Sequence, residues 1–222
     1  MNIINLKNLK TKSNNIINLL KADKAGNDLN ALNILFIGVF HGDEPEGFFL
    51  INKFIDFISE NNSFNFKNNL YFIPQLNPDG KELNQRTNIN GVDLNRNFPT
   101  KNWELSTEKD NYYSGESPAS EIETQFMADV IEEINPDIIL SIHNPYKIVN
   151  FDGPAKQIAE EISKITDYPV QDDIGYPTPG SFGTYCGIER NIKTITLELP
   201  DNQDIDELWN INKDVFIYLV NI

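Results

Sequence analysis

The chain has two histidines, and each directly follows a short apolar run: LFIGVF leads into His41 and IILSI into His143. His41 opens HGDE, which sets Glu44 three residues further on in a tight turn. An imidazole and a carboxylate at that spacing can grip one ion from one side, and His143 can supply a third ligand. Two histidines and one glutamate leave a fourth position open for water, the arrangement of a catalytic zinc. Asp43 and Glu46 are rival carboxylates, and Asp43 could instead orient a ligand from behind. Either histidine alone would read as a turn cap or a satisfied core residue. Together, with both strand ends facing one crevice, they favour the metal.

A second stretch, RTNINGVDLNRNFP, runs from Arg86 to Pro99. Three arginines stand against fifteen lysines in the chain, and two of the three, Arg86 and Arg96, lie here. Where lysine is the habitual cation, arginine suggests that the planar fork matters: it binds a carboxylate bidentately and can stabilise an oxyanion. Asn95 adds an amide donor for the same carboxylate. Further on, Glu198 sits inside the apolar run TITLELP, where an unpartnered carboxylate would be costly. Facing an activated water, it could take a proton and pass it to a leaving amine; pairing with a lysine or capping backbone is the competing account. Tyr176 lies upstream in a Gly/Pro-rich loop that suits a phenol closing on substrate, or an ordinary loop tyrosine. Cys186 reads as inert, and Asp172 and Asp173 as solvated or as partners for a substrate ammonium.

The elements that must position these groups follow from the apolar pattern. Continuous runs at Ile34 to Phe40, Leu70 to Leu76, Ile138 to Ile142 and Ile192 to Leu199 predict strands covered on both faces. Between them lie helical stretches: one with Pro45 as its first residue, one opened by a Ser120/Glu123 capping box, one starting near Pro154, and a last one carrying Leu208, Val215 and Leu219. This alternation predicts an α/β fold with a mixed, mostly parallel twisted sheet and helices on both faces. Ligands of such folds sit beyond the carboxyl ends of the strands, where His41, Asn77-Pro78-Asp79-Gly80, His143 and Glu198 all fall. The chain is expected to form one catalytic domain over 1–222, with 1–30 the segment that the pattern defines least.

Composition narrows the partners. A formal charge of −15 repels nucleic acid and anionic membranes, so neither is expected to bind. One cysteine excludes an internal disulfide. MNIINLKNLKTKSNNIINLL has no continuous apolar core and no small-residue cleavage site, so it does not read as a secretory signal. No apolar stretch reaches the roughly 18 residues needed to span a membrane, and a cytoplasmic protein is the expectation.

HGDE, NPDG, DLNRNF, SIH and TLELP, in this order between about Asn33 and Pro200, resemble the zinc carboxypeptidase family of the carboxypeptidase A type. Each motif is weak alone; five in order are specific. The resemblance implies one Zn2+ per chain held by His41, Glu44 and His143. It implies Glu198 as the catalytic glutamate, Arg86 as the oxyanion group, Asn95 and Arg96 as a substrate-carboxylate clamp, and Tyr176 as the family's mobile tyrosine. HGDEPEG, SGESPASEIET, SIHNPYKIVNFDGPA and DDIGYPTPGSFGTYCGIER are most similar to the branch that hydrolyses murein peptides. That branch implies a small peptide substrate and cleavage of the γ-D-glutamyl–meso-diaminopimelate amide bond in cell-wall recycling. Three other readings compete: a general metallocarboxypeptidase, an aspartoacylase or succinylglutamate desuccinylase-like deacylase, and an inactive peptide-binding module. The deacylases usually carry an extra C-terminal β-rich domain, for which little chain follows Pro200. The retained Glu198 and ligand set argue against the inactive module.

Overall fold

The computed structural model describes residues 1–23, 30–61, 63–106 and 111–222. Eight strands form one sheet: β1 (Asn2–Lys10), β2 (Ile16–Asp23), β3 (Asn33–Gly38), β4 (Asn69–Ile73), β5 (Ile138–His143), β6 (Tyr146–Asp152), β7 (Val170–Gln171) and β8 (Lys193–Pro200). Their order is β1-β2-β4-β3-β5-β8-β6-β7. Four of the seven pairings are parallel, so the sheet is mixed and mostly parallel. The parallel block β4-β3-β5-β8 consists of the four strands expected from the apolar runs, and it brings their carboxyl ends to one edge.

Both faces of that block are covered. On β3, Ile34 and Phe36 enter one core while Leu35 and Ile37 enter the other, which is why the sequence runs are continuous rather than alternating. The first core receives helices α1 (Glu46–Glu60), α4 (Lys156–Thr166) and α5 (Ile205–Asn221). Its centre is aromatic: the Phe36 ring lies 5.8 Å from Phe54, 5.3 Å from Phe72 and 5.5 Å from Phe216. The second core is covered by α3 (Ile122–Ile134), through Phe126, Met127 and Val130, by the loop residues Phe40 and Phe98, and by Phe182.

Several local expectations need correction. The first and second apolar runs leave the ladder early, at Gly38 and Ile73, because the chain turns there: Val39 takes a positive φ of 56°. Leu76 N and Asn77 N then donate to the carbonyls of Gly38 and Val39. Pro45 precedes α1 instead of opening it, in helical conformation with φ −76°. The Ser120/Glu123 capping box does not form; Ser120 Oγ donates to Glu121 Oε1 at 2.7 Å, and α3 begins without a side-chain cap. Only α5 among these helices is capped as sequence logic would have it, by Asp204 accepting from the backbone N–H groups of Asp206 and Glu207.

The segment that the pattern left least defined is a hairpin, β1–β2, joined antiparallel to β4; residues 24–29 of that segment lie outside the described set. One of its faces is solvated, so Asn and Lys interrupt the apolar residues. A buried carboxylate ties the hairpin turn to the NPDG segment: Asp79 Oδ1 accepts from Thr11 Oγ1 at 2.6 Å and from Asn15 Nδ2 at 2.9 Å. Among the described residues no helix is long and apolar enough to cross a membrane.

The aromatic centre generates a stability prediction. Phe216→Ala is expected to destabilise the fold by about 3–5 kcal/mol in denaturant titrations. Phe49→Ala, at a position 45% exposed, should stay within about 0.5 kcal/mol of wild type. Equal effects at the two positions would contradict the packing described.

Candidate active site

The carboxyl ends of β3, β4, β5 and β8 each deliver one part of the site. After β3 the chain turns through Val39 and Phe40 into His41. After β4, Asn77 caps α2 (Pro78–Leu83) by accepting from Gly80 N at 2.9 Å. Its side-chain amide then donates to the carbonyls of Phe40, at 3.2 Å, and Arg86, at 3.4 Å. Gly42 N donates to that same Arg86 carbonyl. Gly42 is packed so closely on the Gly80 backbone that a Cβ there would overlap it. NPDG is therefore the clamp that fixes the HGDE loop against the segment carrying Arg86.

Glu44 joins the two histidines. His41 Nδ1 lies 2.8 Å from Glu44 Oε1, and His143 Nδ1, at the end of β5, lies 2.9 Å from Glu44 Oε2. One ligand atom from each of the three residues falls within 4.8 Å of the others, and all three residues are buried. The Phe40 ring stacks on His143 at 5.3 Å. Asp93, fully buried, stands behind: its Oδ1 lies 3.2 Å from His41 Nε2, and its Oδ2 accepts from Arg86 Nε and Nη2, each at 3.2 Å. Arg86 Nη1 reaches Glu44 Oε1 at 3.5 Å. Asp93 also caps the short helical turn Leu94–Arg96 by accepting from Asn95 N at 2.8 Å.

The electrostatics follow from these contacts. Burial opposes charge on His41, but the facing carboxylates of Glu44 and Asp93 outweigh it and lift the imidazole to about 9. Burial likewise opposes charge on Glu44 and Asp93, and the histidines, with Arg86 beside Asp93, hold both well below the usual carboxylate range. Burial pushes His143 below its ordinary value. Glu198 is paired in register with His143 across β5–β8, and among the described residues no cation is within ion-pair distance of it. Burial, reinforced by the Glu44 carboxylate, raises it to about 8. Its Oε2 is buried with no hydrogen-bond partner among the described residues.

A cavity of about 270 Å³ opens beside the triad, and His41, Glu44, Arg86, Asn95, Arg96 and Glu198 all line it. Arg96 is 5% exposed, and among the described residues no carboxylate is within ion-pair distance of it. Its Nη1 donates to the Asn95 carbonyl at 2.7 Å. Asn95 Oδ1 accepts from Phe182 N at 2.8 Å, which leaves its Nδ2 as the donor for a ligand. Tyr176 also lines the cavity, with its ring centre 6.0 Å from the Arg96 guanidinium carbon. Burial and a hydrogen bond with Tyr146 push its phenol up to about 12.

The structure thus brings together every residue the sequence singled out for the site. Asp172 and Asp173 do not line this cavity, and Cys186, read as inert, is fully buried, its thiol raised by burial. Asp43 lines the cavity, but the residue braced against His41 is Asp93, which the sequence reading passed over. The available signal was a carboxylate between Val92 and Leu94, both buried. Asn77 was noted only as a polar strand end, and Asn144, Tyr146 and Asp201 were missed as cavity-lining residues.

The donor set fits zinc: two imidazole nitrogens and one carboxylate, converging in a buried pocket, with the far nitrogen of His41 held by a carboxylate that fixes its tautomer once the ring is neutral. Comparison with known proteins agrees. Murein peptide amidase A of Escherichia coli K12 is 38% identical over 136 residues, 56% of this chain and 55% of that relative. The chain thus spans about half the length of the curated relatives it matches. The crystal structure of murein-tripeptide amidase from Escherichia coli O157 superposes with a TM-score of 0.73 at 27% identity, over 92% of this chain and 87% of that one. Carboxypeptidase A from Helicoverpa armigera shares the fold, with a TM-score of 0.76 at 18% identity, over 97% of this chain and 66% of that one. The family model described as zinc carboxypeptidase matches residues 2–217, and the chain belongs to that family.

Proposed function

We propose that this chain is a zinc-dependent amidase that hydrolyses the γ-D-glutamyl–meso-diaminopimelate bond of murein peptides, in cell-wall recycling. The observation that carries the hydrolytic part is Glu198, a carboxyl raised to about 8 beside the triad, with a buried oxygen that nothing described satisfies. The substrate part is supported by the likeness to murein peptide amidase A and to murein-tripeptide amidase.

His41, Glu44 and His143 would hold the ion, which when bound supplies an acidified water and polarises the scissile carbonyl. Glu198 accepts the proton of the attacking water at its free oxygen and returns it to the nitrogen of the leaving amine. Arg86 has N–H donors beyond those given to Asp93 and Glu44, and turns them to the negative charge that develops on the carbonyl oxygen. Asn95 and Arg96 hold the carboxylate beside the scissile bond, and Tyr176 closes over it. Residues 1–222 act as one catalytic domain; in support, the N-terminal hairpin and the C-terminal helix pack on the same sheet as the site. A cytoplasmic setting is part of the reading, in keeping with a single buried cysteine.

Metal-replete protein is expected to carry about one zinc per chain, lost in His41→Ala and in His143→Ala. Zinc must displace the His41 proton, so between pH 6 and the folded value of about 9 apparent affinity should rise with pH, by up to roughly tenfold per unit. Elemental analysis and competition titration check both; stoichiometric zinc in both variants would remove the ligand set. Glu198→Gln should keep fold and zinc but lose about 10²–10⁴-fold in kcat. A near-wild-type kcat would take Glu198 out of the mechanism. Mass spectrometry of a digest of L-Ala-γ-D-Glu-meso-diaminopimelate should find free diaminopimelate, and Arg96→Ala should weaken substrate binding by roughly 2–5 kcal/mol. Hydrolysis of N-acetylaspartate, succinylglutamate or ordinary C-terminal peptides instead would reject the murein assignment.

A further inference from the structure

The turn that joins β1 to β2, Thr11 to Asn15, closes on itself: Thr11 N donates to the Asn15 carbonyl at 2.9 Å, and Asn14 N to the Thr11 carbonyl at 3.1 Å. Three donors from this turn converge on Asp79, which is 1% exposed. Thr11 Oγ1 and Asn15 Nδ2 reach its Oδ1 at 2.6 and 2.9 Å, and Ser13 N reaches its Oδ2 at 3.4 Å. A hydroxyl held this close by a carboxylate makes one of the stronger hydrogen bonds of a protein. Asp79 is the second residue of α2, and α2 lies directly against the arginine segment. A Cβ on Gly80 would come within 2.4 Å of the Thr87 carbonyl oxygen, and Gln85 N donates to the Gly80 carbonyl at 3.0 Å. Asn77, which caps α2, holds the Arg86 carbonyl. The same turn also reaches the chain beyond Arg86: Lys12 Nζ donates to Asn90 Oδ1 at 2.7 Å, and Asn90 Nδ2 to buried Glu121 at 2.5 Å. Arg86 thus stands between two struts, one at Asp79 and one at Asn90, that start from a single hairpin turn.

We propose that Asp79 and Thr11 are positioning residues for the hydrolysis, and that they act through Arg86. The inference rests on the reading of Arg86 as the oxyanion group. Asp93 and Glu44 fix the tip of that side chain, and the grip on its carbonyl fixes the base. The donors left over have to meet an oxygen that becomes negative only in the transition state. A small displacement of the base degrades that contact and leaves the binding of substrate untouched. Binding falls to Asn95 and Arg96, whose turn is capped by Asp93 and not by α2. The competing account is that Asp79 only fastens the hairpin to the body of the protein. The hairpin is already fastened, by the β2–β4 pairing and by Ile17 and Leu19 in the second core. Burying a carboxylate under its turn is costly, and the gain lies in what α2 carries on its other side.

The test compares zinc-loaded enzymes on L-Ala-γ-D-Glu-meso-diaminopimelate, well below their unfolding temperatures. Thr11→Val keeps the branched shape and removes the hydroxyl; it should lower kcat about five- to twentyfold. KM should stay within about twofold of wild type, and zinc content should not change. Thr11→Ser returns the hydroxyl and should recover most of the lost rate. Asp79→Asn should lower kcat by a smaller factor, because an amide oxygen still accepts. The decisive arm is the Arg86→Ala background, where Thr11→Val should cost less than about twofold further, since the group it positions is gone. Were Thr11→Val unfolded by circular dichroism, Asp79→Asn in the two backgrounds would supply the same comparison. A folded Thr11→Val enzyme with lowered Tm and wild-type kcat reduces Asp79 to a structural tie and overturns the proposal. So does a loss confined to KM, or one equal in the two backgrounds. These outcomes leave the amidase reading intact. A wild type that does not cleave the tripeptide overturns that reading, and this proposal with it.

Discussion

One carboxylate, Glu44, sits between two imidazoles, one near it and one far from it in the sequence, and the site is organised around this contact. His41 lies three residues before it; His143 lies ninety-nine after. Burying a charge of this kind is costly unless it is paired and hydrogen-bonded, so the fold must bring cations to it. It does so with His41 and Arg86, and must then answer Arg86 with Asp93, which turns back to His41. The result is a closed ring of charges whose members hold one another in their ionised forms. Glu198 is left outside this ring, and that exclusion gives it a proton affinity unlike that of the other two acids. Positive charge delivered to the triad would act inside and outside the ring at once, releasing a proton from His41 and lowering Glu198 toward its ionised form.

How much of this was legible in the sequence depends on where the information lies. The four central strands were readable because burial on both faces leaves a nearly continuous apolar signature, seen in Ile34–Ile37 and, broken only by Ser141, in Ile138–Ile142. The polar groups at their ends were readable because a histidine or glutamate abutting such a run needs a reason to be there. The order of five short motifs added the family. By contrast, the hairpin β1–β2 has one solvated face, and Asn and Lys dilute its alternation below what a period-two pattern can reveal. The capping box at Ser120 failed because spacing alone cannot tell that a competing partner, Asn97, will reach the hydroxyl at 3.0 Å. Asp93 was passed over because its importance lies in geometry between loops: nothing in VDLNR says that one oxygen will face an imidazole and the other a guanidinium.

Asp93 also ties together two roles. It braces a proposed metal ligand with one oxygen and the proposed oxyanion group with the other, so these two parts of the site are not independent modules. Substitutions at His41 and Arg86 share this partner, and residues that share a partner do not act additively. Asp93 further caps the turn that presents Asn95 and Arg96, so the proposed clamp for the substrate carboxylate hangs from the same side chain.

The two carbonyls gripped by Asn77 have a mechanical consequence. Phe40 and Arg86 are bound by one amide, and Gly42 adds a second bond to the Arg86 carbonyl, so the HGDE loop and the arginine segment behave as one rigid plate. The opposite wall of the cavity is built differently. Around Tyr176 the chain is held by a local turn, Gly175 N to Asp173 Oδ1 at 2.7 Å, and by the contact between the phenols of Tyr176 and Tyr146. Local opening follows the density of such ties. The cavity thus has a stiff side, which sets distances between the reacting groups, and a compliant side, which can give way to an entering ligand without disturbing them.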